Sequence, residues 1–318
     1  MEKQIQIIEA PILIIAFNRP DISAKTFEYI RKAQPQKLYI AIDGHRPDKE
    51  GEINLVEQVK KVFENVDWPC ETHYKYNDTN KGAELTVSSA ISWVFEKEKY
   101  AIILEDDIVA PLSFLKFAQE MLIKYEDNER IGTVTGSNFT PIPVPDNTDY
   151  FFAKYGHSGG GWATWKRVWE GFDLYVDIPA EHLTLKYLKT VTNSINEAQY
   201  YQKVFKNLKE KGRGNSAWDY ISLYFHRINE RLSIIPRINL TSNIGTYGLH
   251  TRGQSEYHYR PFDEYFEVQK HPANVECFTQ YDIHHFKNYI IGKSPLHKRT
   301  GKKLAKIFAI KLNSTNYE

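Results

Sequence analysis

Cysteine is nearly absent: Cys70 and Cys277 are the only two in 318 residues, and they stand far apart. They form neither a metal-ligand spacing nor a disulfide framework, which suits a reducing cytoplasm. An excess of one charge is lacking too, since 41 basic and 40 acidic residues nearly cancel. A dedicated nucleic-acid binder would carry a large basic excess, so nucleic acid is not an expected partner. No stretch approaches the ~20 apolar residues that a membrane-spanning helix requires. The first residues run from charged to apolar, but the run is short, is interrupted by Glu9 and Pro11, and has no small-residue cleavage site. It is expected to be a first strand and not an export signal. The Walker and dinucleotide glycine fingerprints are absent, and there is no internal repeat. A cytoplasmic protein is the expectation.

What is present is ample material for a core. Hydrophobic residues make up 42% of the chain and aromatics 14%, which excludes disorder. Strand patterns at 11–17, 37–43, 71–76, 100–104 and 131–135 alternate with helix patterns at 21–32, 52–65, 83–96 and 113–125. Strands alternating with long helices predict an α/β fold with a mostly parallel sheet flanked by helices. Three prolines, Pro141, Pro143 and Pro145, break this rhythm. The expected organisation is a ligand-binding half (1–140), an aromatic-rich half on the same sheet (141–282) with a helix near 195–211, and a tail (283–318).

The tail is basic. No acidic residue occurs from Ile283 to Tyr317, while Lys287, Lys293, Lys298, Arg299, Lys302, Lys303, Lys306 and Lys311 do. Leu304, Ile307, Phe308 and Leu312 recur at helical spacing, so the segment reads as a basic amphipathic helix. Such a helix either docks on the protein or makes a peripheral contact with an anionic membrane.

The most informative stretch is Ala101 to Asp107, where an apolar strand runs into Glu105, Asp106 and Asp107. Three adjacent carboxylates at a strand end repel one another unless something positive sits there. A hard divalent cation would relieve the conflict, because it prefers oxygen ligands and bridges carboxylates to phosphates. A solvated acidic turn is the competing reading. Strand one ends in Asn18 and Arg19, and strand two in Asp43 and Gly44, so a parallel sheet brings them to the same rim as the triplet. An Arg fork suits a phosphate or a uracil edge, and a carboxylate beside it can accept from a base or ribose. Asn77 to Gly82 joins strand three to a helix whose N-terminus, with Lys81, could face a diphosphate. Ser158 to Trp165 sets three glycines before an aromatic pair, where Trp162 could pack on a sugar and glycines could let backbone approach a ligand. Asp219, between Trp218 and Tyr220, is either a helix-terminal acid or a carboxylate whose burial raises its pKa toward general-base range.

Taken in order, Ala16-Phe17-Asn18-Arg19-Pro20, Ile42-Asp43-Gly44, Leu104 to Asp107, Gly160-Gly161-Trp162, Trp218-Asp219 and Ile235 to Asn239 resemble the nucleotide-sugar-dependent glycosyltransferases of the GT-A fold. The likeness is to the N-acetylglucosaminyltransferase I type and to bacterial transferases labelled hemolytic-protein-like. It implies uridine contacts at Arg19 and Asp43 and a direct metal ligand, for Mn²⁺ or Mg²⁺, at Asp107. Glu105 and Asp106 would then lie near ribose and sugar, Asp219 would be the catalytic base, and His250 would sit in a loop ordered over the donor. The chain departs from the family in lacking a histidine between Asn77 and Phe95, and its aromatic region after Tyr150 differs.

The resulting expectation is an inverting, metal-dependent transfer of a sugar, N-acetylglucosamine or a related hexose, from a UDP-sugar to a glycan or glycoconjugate hydroxyl. One alternative is a nucleotidyltransferase that makes sugar nucleotides, which would want a Gly-rich basic loop after strand one. The other is a non-catalytic carbohydrate-binding module, which would not need the acidic triplet.

Overall fold

The structure is a computed structural model that describes residues 7–156, 160–211, 218–245 and 260–292. Its first half alternates as the sequence predicts: β1 (Ile12–Ala16), α1 (Pro20–Ala33), β2 (Lys37–Ile42), α2 (Glu52–Glu64), β3 (Glu71–Tyr76), α3 (Ala83–Phe95) and β4 (Tyr100–Glu105). A two-residue strand β5 (Ile108–Val109) follows, then α4 (Leu112–Lys124) and β6 (Ile131–Thr135). Beyond the prolines come β7 (Tyr150–Ala153), β8 (Trp162–Trp165), α5 (Lys166–Trp169), α6 (Leu185–Val191), α7 (Ile195–Lys211) and α8 (Trp218–Ile228). The strands β9 (Leu232–Pro236) and β10 (Ser242–Asn243) and the helix α9 (Thr279–His285), which runs on as π-helical turns over Phe286–Ile291, follow; short 3-10 turns lie at Pro145–Asn147 and Ala180–Leu183.

Eight strands form one sheet in the order β3-β2-β1-β4-β8-β6-β9-β7. β1 to β4 are mutually parallel. β8 inserts antiparallel between β4 and β6, and β7 closes the edge antiparallel to β9. The fold is therefore mixed α/β with a mostly parallel sheet, and the aromatic-rich half contributes strands to the same sheet. The insertion of β8 between two parallel strands is not visible in a local pattern, because pairing partners far apart in sequence decide it.

Both faces of the central strands are buried, which is why they read as continuous apolar runs instead of alternating ones. Alternate residues feed different cores. Ile12, Ile14, Leu38, Ile40, Ile102 and Leu104 pack with Phe27, Phe63 and Phe114 of α1, α2 and α4. Leu13, Ile15, Tyr39, Ala101 and Ile103 pack with Val87 and Ile91 of α3 and with Trp162, Trp169 and Trp218. A third cluster, including Phe151, Tyr201, Phe205, Tyr224 and Tyr281, joins β7 to α7, α8 and α9. The expected amphipathic tail lies outside the described residues, apart from its first positions in α9 and the turns after it. No described helix is long and apolar enough to cross a membrane.

Candidate active site

The register that divides the core also sorts the acidic triplet. In β4, Ala101 and Ile103 face α3 and α8, while Ile102 and Leu104 face α1. Continuing the period of two sends Glu105 toward the α8 side and Asp106 toward α1. Asp106 is 3% exposed, pairs with Arg19 Nη2 through Oδ1, and lies 3.4 Å from Ser23 Oγ through Oδ2. Its main-chain oxygen accepts from Thr26 Oγ1 at 2.7 Å. Burial pushes its carboxyl up to about 6 against the opposing pull of Arg19. Asp106 is thus a wall residue holding Arg19 and α1. The implied contact with ribose or sugar does not fit this inward position.

Glu105 projects from the other side of the strand into solvent. Loss of surrounding water, then the charges of Asp107 and Asp106, push it up to about 8, and Asp219 adds to the rise. Because the side chain opens to solvent, the like charges are the firmer cause. Trp218, the neighbour of Asp219, packs in the same core as Ala101 and Ile103, which brings Asp219, 114 positions later in sequence, to the Glu105 side of β4.

Asp107 sits at the crest. Its Oδ2 lies 3.0 Å from Arg19 Nη2, and its Oδ1 is buried with no hydrogen-bond partner among the described residues. Buried polar atoms normally find partners, so an orphaned carboxylate oxygen beside a cationic fork is a fit for a cation. Among the described residues no three His, Cys, Asp or Glu side chains form a metal cage. An ion at Asp107 would take one protein carboxylate and draw its other oxygens from a ligand, a common arrangement for Mg²⁺ with phosphates.

A returning segment closes over this point. β10 pairs antiparallel with β5, immediately after the triplet, and Ile244 N donates to Asp107 O at 2.8 Å. Gly245 then passes so close that a Cβ there would collide with Asp107 Oδ2 and come within 3.1 Å of Arg19 Nη1 and Asn243 Oδ1. Asn243 and Gly245 fall in the segment Asn239–Gly253 that the resemblance implies lies over the donor, but neither stands out within it; the glycine carries no local signal, since its need is spatial. His250 lies outside the described residues.

Arg19 ends the three-residue link between β1 and α1, with Pro20 as the first helical residue. Its pairing with Asp106 and Asp107 keeps it charged, despite the burial that opposes charge. Asn18 Nδ2 donates to Glu52 Oε1 at 2.9 Å, and Glu52 in turn holds Arg46. Glu52 and Arg46 were missed, because a helix-start acid and a loop arginine look ordinary until the fold brings them beside Asn18.

Asp43 is 4% exposed and accepts from five protein donors: Gly44 N at 2.9 Å, Asn77 Nδ2 at 3.0 Å, Asn80 Nδ2 at 2.8 Å, Lys81 N at 2.9 Å and Gly82 N at 3.0 Å. It organises the turn between β3 and α3, so its oxygens are occupied where a direct nucleoside contact was expected. Lys81 extends from that turn into solvent.

Trp162 corrects a second expectation. It is 4% exposed and stacks on Trp218, with ring centroids 6.0 Å apart, so it presents no open face to a sugar. Of the glycines before it, Gly160 and Gly161 have positive φ angles of 62° and 81° and pack against Ser137, Thr241 and Ile108. Their backbone freedom serves a turn inside the protein. Asp219 is the second residue of α8, partly buried, and accepts from Tyr220 N at 2.9 Å. Burial raises its pKa, and the backbone N–H of Tyr220 opposes the rise.

No protein-family model and no curated protein matches the chain. Solved structures with partial likeness include the mannosyltransferase PcManGT from Pyrobaculum calidifontis in complex with GDP-Man and Mn²⁺, 12% identical over 72% of this chain and 74% of that one, at a TM-score of 0.33. HddC from Yersinia pseudotuberculosis is 11% identical over 51% of this chain and 79% of its own, at 0.32. A UDP-glucose pyrophosphorylase complexed with UDP-glucose is 9% identical over 51% and 78%, at 0.30. Likenesses of this size leave the function to be argued from the residues themselves.

Proposed function

We propose that this chain is a nucleotide-sugar-dependent glycosyltransferase of the GT-A type, inverting and dependent on Mn²⁺ or Mg²⁺. The donor would be a UDP-sugar carrying N-acetylglucosamine or a related hexose, and the acceptor a hydroxyl of a glycan or glycoconjugate. The observation that carries the reading is the buried, unpartnered Asp107 Oδ1 at the carboxyl end of β4, beside Arg19 and within electrostatic reach of the Glu105–Asp219 side. In an open α/β sheet, that end of the strands is where ligands bind.

In the proposed reaction Asp219 takes the proton of the acceptor hydroxyl. The acceptor oxygen attacks the anomeric carbon as its bond to the diphosphate breaks, and UDP leaves with that electron pair. A cation bound at Asp107 would stabilise charge on the leaving diphosphate. Arg19 would bind phosphate, and the Asp43-organised turn with Lys81 would flank the nucleotide. The diphosphate is a good leaving group, so one carboxylate base suffices, unlike glycoside hydrolysis with its two flanking carboxylates. Specific likeness to the N-acetylglucosaminyltransferase I type and a membrane contact through the basic tail belong to the same proposal.

The short link between β1 and α1 weighs against nucleotidyl transfer. Only Phe17, Asn18 and Arg19 separate the two elements, which leaves no room for a phosphate-cradling loop. The burial of Trp162 weighs against a simple sugar-binding module. The test is a screen of UDP-sugars for Mn²⁺-dependent thermal stabilisation, since a ligand at one hundred times its Kd adds about 2.7 kcal/mol to folded-state stability. Asp107→Asn should abolish the metal-dependent part. Equal UDP affinity with and without EDTA in both proteins would reject the metal assignment.

A further inference from the structure

The cation that Asp107 holds without any ion is Arg19. Nη2 of its guanidinium lies 3.0 Å from Asp107 Oδ2 and also pairs with Asp106 Oδ1. The two carboxylates are held unequally. Asp106 is anchored again through Ser23 at 3.4 Å and through the Thr26 hydroxyl on its main chain at 2.7 Å. Asp107 is anchored on its main chain by Ile244 N at 2.8 Å, but its carboxylate has one oxygen on Arg19 and the other buried without a partner among the described residues. A guanidinium on Oδ2 and a divalent cation on Oδ1 of one carboxylate repel each other across it, so an arriving ion weakens the hold of Asp107 on Arg19. The guanidinium contact to Asp107 is the one such repulsion loosens, because the Asp106 carboxylate is also held by Ser23.

Resting on the donor-binding role given to Asp107 above, we propose that Arg19 is a placeholder for the divalent cation. The ion enters at Asp107 as Arg19 Nη2 leaves Asp107 Oδ2. The guanidinium stays tethered by Asp106 and turns the N–H groups withdrawn from Asp107 toward the donor diphosphate. Ion and nucleotide then bind as a coupled pair: the ion displaces the arginine, and the diphosphate receives it. By linkage each tightens the other equally. The arrangement also explains how an acidic triplet is tolerated in the absence of an ion, since Arg19 neutralises part of it in the folded state.

The experiment measures Mn²⁺ binding to the full chain by the electron paramagnetic resonance of free Mn²⁺, with and without UDP. The proteins are wild type, Arg19→Gln, Arg19→Lys and Asp107→Asn. Wild type should bind Mn²⁺ alone weakly and more tightly with UDP. Arg19→Gln should bind Mn²⁺ alone on the order of tenfold more tightly, since a unit charge at contact distance from the ligand is gone, yet lose affinity for UDP. Arg19→Lys keeps a charge for Asp106 but not the fork. It should fall between, and it carries the test if the glutamine variant does not fold. If neither variant gains Mn²⁺ affinity while wild-type UDP binding still needs Mn²⁺ and Asp107, the exchange is overturned and the site stands. If wild-type UDP binding ignores Mn²⁺, EDTA and Asp107→Asn alike, the metal reading itself falls.

Discussion

Trp162 and Trp218 stack with their ring planes inclined by 21°, and this contact packs the first described turn of α8 against β8. Trp162 comes from β8, the antiparallel strand between β4 and β6, and Trp218 is the first residue of α8. Asp219 follows directly. The position of the proposed base therefore depends on an aromatic pair in the core.

Trp162→Ala should cost about 3–5 kcal/mol of stability, as for other buried large-to-small changes, read as a shift in the urea midpoint. Under conditions where the variant is folded, turnover should fall while Mn²⁺-dependent UDP affinity stays near wild type. Trp162→Phe, which keeps a ring against Trp218, should lose less of both. Unchanged turnover in the alanine variant would detach Asp219 from this contact.

Asp219→Asn should lower turnover by ~10²–10⁴-fold, the usual worth of a general base, with little change in UDP affinity. A base works only when deprotonated, so kcat/KM should rise with pH as Asp219 loses its proton. Burial raises that pKa, so the acid limb should lie above the ordinary aspartate range near 3.8. The limb should vanish in the asparagine variant. A product with the donor's anomeric configuration would reject the single displacement.

Gly245→Ala tests the fit around Asp107. No left-handed backbone is required at this glycine, so alanine is resisted by side-chain atoms, with Asp107 Oδ2 the nearest and Arg19 and Asn243 next. The variant should fold, with a melting temperature close to wild type, and lose on the order of tenfold or more in Mn²⁺-dependent UDP affinity as the carboxylate is pushed off Arg19. Unaltered affinity would mean that Asp107 has room to move without consequence.

Glu197→Gln addresses the aromatic-rich half. Arg227 Nη2 lies 3.1 Å from Glu197 Oε1, with both side chains almost wholly buried. The Arg227 guanidinium also lies over the Tyr155 and Tyr201 rings. Removing one member of a buried pair strands the other charge and costs about 3–5 kcal/mol. A denaturant series should show that loss, and a change below about 1 kcal/mol would mean that the nearby charge of Asp282, which also acts on Arg227, or the ring faces take over the role.

Much of the first half was legible, since β1 to β4 and α1 to α4 follow from apolar runs, helical periodicity and their punctuation. So was the convergence of Arg19, Asp43 and the triplet on one rim, because parallel strands end on the same side. The roles within the rim were less legible. Asp43 and Asp106 have the same residue type and rim position that a ligand contact would need, yet the fold spends Asp43 on five donors of its own and Asp106 on Arg19 and α1. Trp162 reads as a candidate sugar platform because an aromatic after glycines looks alike whether it faces a ligand or a core.

By itself the sequence determined the alternation of strand and helix, the burial of both sheet faces and the crowding of three carboxylates where β4 ends. These follow from local spacing, which fixes the parity of Glu105 and Asp106 on opposite sides of the strand. Only the tertiary structure decided which helix lies on each side, α1 behind Asp106 and α8 toward Glu105. It also decided that β8 would insert between β4 and β6 and that Gly245 would pass over Asp107. Those outcomes depend on contacts between residues 27 (Thr135 and Trp162) to 138 (Asp107 and Gly245) positions apart, where packing of whole faces, and not the preference of any one segment, selects the partner.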